Sequence, residues 1–254
     1  MIPAALTAEL FPFALVFIRL GAALMLVPAI GESAVPPRAR LLFGLAFTVV
    51  TTPMVRADLP ALPEAPLALA LLIGGELAIG IFFGMTMRLV MSALHVGGMI
   101  FAFQSSLAAA TMFDPNQAAR SSLAGNFLNF LAIVFIFVTD LHHLMLRGMI
   151  DTYMLFPPGN PLPVADSVAT IVRVVADAFR VGFQIATPIV VTGFLLYLGG
   201  GLLNRLMPQM MVFFVLLPIQ ITLGFTILMI SLTAIMFWFA SHMDETMVMF
   251  SGIR

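Results

Sequence analysis

Cysteine is absent from the 254-residue chain, which removes disulfides, thiol nucleophiles and thiolate metal sites together. Lysine is absent too, so all eleven basic residues are arginine. Codon usage accounts for that as well as a need for guanidinium pairing does. Charge of either sign is scarce, 9% of residues with a net of −1, and no electrostatic case for nucleic acid exists. No basic region precedes the first apolar run, since Glu9 is the first charge and Arg19 falls inside the run; a cleaved signal peptide is not expected. Walker, dinucleotide-binding and HExxH patterns are missing, and no cofactor is expected. What the chain has in quantity is apolar surface, with 61% hydrophobic residues and a mean hydropathy of +1.11. A soluble globule of this length needs more polar surface than that. Several runs exceed the roughly 18 apolar residues of a spanning helix, and a helix satisfies its backbone groups internally. The sequence therefore reads as an all-α integral membrane protein.

Residues 10 to 31 form the first apolar run. Arg19 lies near its middle, where a charge is costly unless paired or solvated, so it must face protein or water. GESAVPPRAR follows as the first firm loop, with Pro36-Pro37 read as forbidding a helix and Arg38 and Arg40 supplying charge. A second run, Leu41 to Val55, is short for a span and leads into the proline-punctuated connection of Pro60, Pro63 and Pro66. Leu67 to Phe113 stays apolar for too long to be one straight span and reads as two helices or one broken helix. Within it, Glu76 and Arg88 are candidates for a buried ion pair, and Gly80 and Gly84 make a GxxxG pair on one helix face.

The stretch Phe103 to Gly125 interrupts two apolar runs with small, hydroxylated and turn-forming residues, Asp114-Pro115-Asn116 being the turn signal. An ordinary surface loop would look the same. In a membrane protein, however, irregular backbone must be in water, buried in protein, or lining a cavity. Phe127 to Met145 reads as a helix ending near Asp140, His142, His143 and Arg147. After a proline-rich loop, Asp166-Ser167 offers N-cap candidates. Ser167, Thr170, Arg173, Asp177, Arg180 and Gln184 then recur at helical spacing as a polar stripe that wants water, a pore or a polar partner helix, unless Arg173, Asp177 and Arg180 pair along it. Pro188 and Gly199-Gly200-Gly201 are expected to break or bend this helix. The polar connection containing Asn204, Arg205, Pro208 and Gln209 joins it to a last helix, Met210 to Ala240, as a helical hairpin; Ser241 to Arg254 reads as a tail returning to water.

Chemistry is thinly represented. Asp140 and His143 share a helix face and His142 adjoins them, but a metal site needs more ligands than this supplies and no full set of catalytic roles is present. Neither a catalytic residue nor a metal site is expected. The nineteen methionines are flexible fillers, usually core. Arginines fall on odd and even connections alike, so charge does not fix membrane orientation.

Four stretches carry a likeness that composition does not show: FIRLGAALMLVPAIGESAVPPRAR from Phe17 to Arg40, ATMFDPNQ from Ala110 to Gln117, DLHHLMLRGMIDTYMLFP from Asp140 to Pro157, and GLLNRLMPQ from Gly201 to Gln209. In this order and spacing the chain resembles the flagellar biosynthetic protein FliR family, whose relatives serve type III secretion. The resemblance implies an export-gate subunit of the bacterial inner membrane and flagellar basal body, assembled with FliP-like and FliQ-like membrane proteins beside an FlhB-like protein. It implies kinked helical hairpins in a helical assembly, with residues 1 to 166 FliP-like and 167 to 254 a FliQ-like hairpin and tail. It also implies that unfolded export substrates pass a pore closed in part by the loop around Ser106 to Ser122. Met112, Phe113, Asp114, Pro115 and Asn116 are the plug residues on this reading. Asn116 and Ala109 depart from the usual family pattern, which shifts the seal toward Met112 and Phe113. A proton-coupled or solute transporter using Arg19, Glu76, Arg88 and Asp140 is the alternative, although no internal repeat is visible.

Overall fold

The computed structural model describes residues 4–107, 122–161, 163–207, 209 and 211–250. Among these residues the secondary structure is helical throughout: α1 (Ala4–Leu26), α2 (Pro37–Val55), a 3-10 turn (Arg56–Asp58), α3 (Pro66–Gln104), α4 (Leu123–Val138), α5 (Leu141–Leu155), α6 (Val164–Leu206) and α7 (Val212–Phe250). By length and composition α1, α2, α3, α6 and α7 can each cross a membrane, and α4 with α5, bent by 79° at their break, is apolar enough to be a broken span or a re-entrant loop. The all-α membrane reading holds.

Several element boundaries differ from the sequence expectation. Pro37 opens α2 instead of preventing it, because the first helical position has no intrahelical N–H to lose. The long apolar stretch before the central segment is one helix, α3, of 39 residues. α6 runs unbroken through Pro188 and Gly199–Gly201. Around that proline the hydroxyls of Thr187 and Thr192 bond carbonyls one turn back, at Phe183 and Pro188, a device that helps an apolar helix carry Pro. Asp166 and Ser167 fall inside the first turn of α6, which starts at Val164. The expected tail is helix as well: α7 continues to Phe250 and buries His242, Met243, Thr246, Met247 and Phe250. Their spacing is that of one helix face, and the exposed Asp244 and Glu245 between them masked it in the sequence.

Contacts divide the chain into two compact units. The first comprises Met1–Val90, Ile136–Val175 and Met243–Arg254. Here Gly80 and Gly84 of α3 meet α1: a Cβ at Gly84 would lie 2.7 Å from Leu26 Cβ and 2.8 Å from the Ala23 carbonyl. The GxxxG face is thus a close helix contact of the small-residue kind. Phe83 packs edge-on against Phe250 with ring centroids 4.9 Å apart, and Gly148 of α5 makes room for Phe83 and Met247.

The second unit comprises Met91–Phe135 and Ala176–His242. Small residues again set the approach. Gly97 faces Gly182 and Ile185 of α6, and Gly98 meets Gly125 of α4 backbone to backbone. Gly200 of α6 faces Leu216 of α7.

Candidate functional site

The residues expected to form a plug, Met112, Phe113, Asp114, Pro115 and Asn116, lie outside the described residues, and so does Pro208 of the expected hairpin turn. The segments flanking the central loop are described. α3 ends by tightening: Ser105 N–H donates to the Phe101 carbonyl at 2.9 Å and Ser106 N–H to the Phe103 carbonyl at 3.3 Å. Ser106 has φ 57°, the left-handed conformation in which helices often terminate. Glycine or asparagine is usual there, and a serine needs compensation from its surroundings. The Ser106 hydroxyl donates to the side-chain oxygen of Gln220, a glutamine only 3% exposed within the apolar α7. Gly224, one turn on, leaves room for Ser105, and Gly193 of α6 lies against the carboxamide of Gln104. Gln104, Ser105 and Ser106 therefore tie the end of α3 to both helices of the hairpin.

The other flank is fixed in the same manner. Ser122 accepts a bond from Gly125 N–H at 3.2 Å, capping α4, while its hydroxyl donates to the Gly98 carbonyl of α3 at 3.0 Å. Sequence reasoning placed Ser106 and Ser122 at the limits of the central loop but overlooked Gln220. The signal was a single carboxamide in a long apolar run, which in lipid or protein interior must find a partner.

A second polar centre lies in the first unit. Arg19, 1% exposed, forms a bidentate pair with Glu76 through Nε at 2.6 Å and Nη2 at 3.0 Å. Its remaining donors reach the Thr152 carbonyl at 3.2 Å and the Phe156 carbonyl at 3.0 Å, and Arg19 Cζ sits 4.1 Å from the Tyr153 ring centroid. One guanidinium thus joins α1 and α3 to the C-terminal end of α5: it adds to the Thr152 carbonyl, which also accepts the Phe156 N–H at 2.9 Å, and reaches the carbonyl of Phe156, the residue that follows the helix. The expectation that Arg19 faces protein holds. The suggested Glu76–Arg88 pair does not form, because Glu76 is bonded to Arg19 and Arg88 is exposed.

Of the polar stripe, Arg173, Arg180 and Gln184 are exposed and Asp177 half-buried. No ion pair joins Arg173, Asp177 and Arg180, which leaves that stripe available to solvent or a partner. Asn204 and Arg205 are exposed in the last turn of α6, where Arg205 complements the helix dipole, and Gln209 is exposed in the turn that follows. A helix does end near Asp140, α4 stopping at Val138, but the stretch to Met145 is not one helix: Asp140 adopts φ 60° between α4 and α5, its side chain does not cap α5, and His142 and His143 lie in the first turn of α5.

Helices of this length and apolarity, tied together by buried polar side chains, define a multi-pass membrane protein. The chain belongs to the family described as bacterial export proteins, family 1, whose pattern matches residues 10–246. It is similar to the flagellar biosynthetic protein FliR of Caulobacter vibrioides, 35% identical over 231 residues that cover 91% of this chain and 92% of the relative. The Bacillus subtilis protein of that name is 30% identical, with 89% and 88% covered. The Escherichia coli protein is 26% identical, with 89% and 85% covered.

Proposed function

We propose that the chain is a subunit of the flagellar protein export apparatus in the bacterial inner membrane, helping to form and close the pore through which unfolded flagellar proteins leave. The observation that carries this reading is the family match over residues 10–246 together with FliR relatives aligned over about nine tenths of both chains. The role is conductive and structural, without catalysis. Its partners on this reading are FliP-like and FliQ-like membrane proteins and an FlhB-like protein. The hairpin of α6 and α7 supports the assignment of residues 167 to 254 as the FliQ-like part, leaving residues 1 to 166 as the FliP-like part. The plug function is assigned to Met112, Phe113, Asp114, Pro115 and Asn116; the anchoring of Ser106 and Ser122 on either side of them supports it. The exposed Arg173, Arg180 and Gln184 supply a polar face for a neighbouring helix or an aqueous path.

A transporter pathway through Arg19, Glu76, Arg88 and Asp140 is less well supported. Arg19 and Glu76 are occupied with each other, whereas Arg88 and Asp140 are exposed. The test is purification of the tagged chain from its native operon in mild detergent, with mass spectrometry of what remains bound. Recovery in one discrete particle with FliP-like and FliQ-like proteins is the expected result. A particle of this chain alone, from cells expressing those partners, would overturn the reading.

A further inference from the structure

We propose that Asp140, His142 and His143 form a binding site for a divalent transition metal ion of the zinc type at the break between α4 and α5. Their ligand atoms lie within 4.8 Å of one another, and the site is separate from the export reading above. The sequence expectation of too few ligands holds for a closed structural site with four protein ligands; three protein ligands with water in the fourth position is the open zinc arrangement. His142 has the second-sphere contact that a metal-binding histidine uses. His142 Nδ1 is 3.3 Å from the Ile136 carbonyl, so with the proton on Nδ1 it donates there and leaves the Nε2 lone pair for the ion. His143 Nδ1 is 3.4 Å from Asp140 Oδ1, and the two imidazole centroids are 4.0 Å apart.

Asp140 stands at the N-cap of α5 yet makes no capping bond, so its carboxylate is not engaged by the helix N–H groups. The site is accessible. The side chains of Asp140 and His143 are 75% and 69% exposed, and both histidines line an otherwise largely apolar cavity of about 460 Å³. Metal–nitrogen bonds of about 2.0–2.1 Å require the three donors to draw closer, and rotation of these exposed side chains permits it. The positive end of α5 opposes a cation, and the carboxylate of Asp140 opposes that effect in turn. Arg40 lines the same cavity, but its Nε and Nη2 are bonded to the Ile30, Glu32 and Val35 carbonyls. Two imidazoles and one carboxylate favour zinc, nickel or copper over magnesium or calcium. A bound ion would clip Asp140 to the first turn of α5 and stabilise the chain by mass action.

The assignment is clean because the chain has no cysteine and four histidines, the other two being His95 and His242. The experiment uses the full chain, purified in mild detergent without a histidine tag and freed of metal. Zn²⁺ is titrated by calorimetry, and Co²⁺ is added as a visible probe of coordination. Saturable binding of a single Zn²⁺ is expected, with ligand-field bands from Co²⁺. The affinity should fall by about tenfold or more in His142→Ala, His143→Ala and Asp140→Asn. If His142→Ala does not fold, since its ring packs on Phe137, His143→Ala decides. Absence of saturable Zn²⁺ binding, or an unchanged affinity in His143→Ala, would overturn the proposal.

Discussion

Arg19 shows what one buried charge demands of its neighbours. Its guanidinium satisfies a carboxylate and two helix-terminal carbonyls, so removing Glu76 leaves a cation without its counter-charge in a dry interior. Glu76→Leu is expected to cost about 3–5 kcal/mol, as for other broken buried pairs, while Arg19→Met combined with Glu76→Leu recovers much of it. Thermal unfolding in detergent, or the amount of chain retained in the membrane, reads both. Gln220→Leu removes the acceptor of the Ser106 hydroxyl and is expected to cost about 1–3 kcal/mol. Thr226→Val, on an exposed face of the same helix, should change little in the same assay. At this scale the sequence revealed the need but not the answer. A charge in an apolar run announces that it has a partner, yet nothing local selects Glu76, 57 residues away. Gln220 passed unnoticed because one neutral polar residue barely alters the hydropathy of its run.

Helix contacts in both units are set by glycines that let backbones approach. A Cβ at Gly97 would lie 2.9 Å from Ile185 Cγ2 and 3.0 Å from the Gly182 carbonyl, against atoms with little freedom to retreat. Gly97→Ala and Gly84→Ala are each expected to destabilise the chain by about 1–3 kcal/mol through overpacking. Gly199, also helical but with nothing within 4 Å, should behave oppositely. There Gly199→Ala should be neutral or stabilising by up to about 1 kcal/mol, from the conformational entropy that glycine loses. Thermal unfolding of the three variants side by side checks the pattern. The GxxxG face of α3 was legible in advance, because spacing alone places Gly80 and Gly84 together. Helix ends were less so. Pro37 begins a helix although a proline pair reads as a helix breaker, and Asp140 divides an apolar run by adopting a left-handed conformation that composition does not announce. The end of α7 looks like a polar tail in the sequence because its buried face takes only part of each turn and the charges of Asp244 and Glu245 lie between.

Taken whole, the chain has more apolar helix than one bilayer crossing uses. α3 and α7, at 39 residues, and α6, at 43, span about 60 and about 65 Å along their axes. The hydrocarbon core is about 30 Å. Large side chains including Phe183, Phe194, Phe214, Met229, Ile230 and Phe237 are exposed on α6 and α7. Lipid covers part of such a surface, and partner subunits suit the rest. Co-expression with the FliP-like and FliQ-like proteins should therefore raise the yield of intact chain in mild detergent over expression alone, as read by size-exclusion chromatography. The membrane class was legible from composition, because so few charges cannot cover a soluble surface. The export role was legible only through the likeness of four ordered stretches to a family, since periodicity and charge are shared with many membrane proteins. The most direct test of that role is to delete the gene for this chain in its own organism and measure secretion of the flagellar filament protein. Filament protein retained inside the cells, with secretion restored by the intact chain supplied in trans, is the predicted result; undiminished secretion in the deletion strain would contradict it.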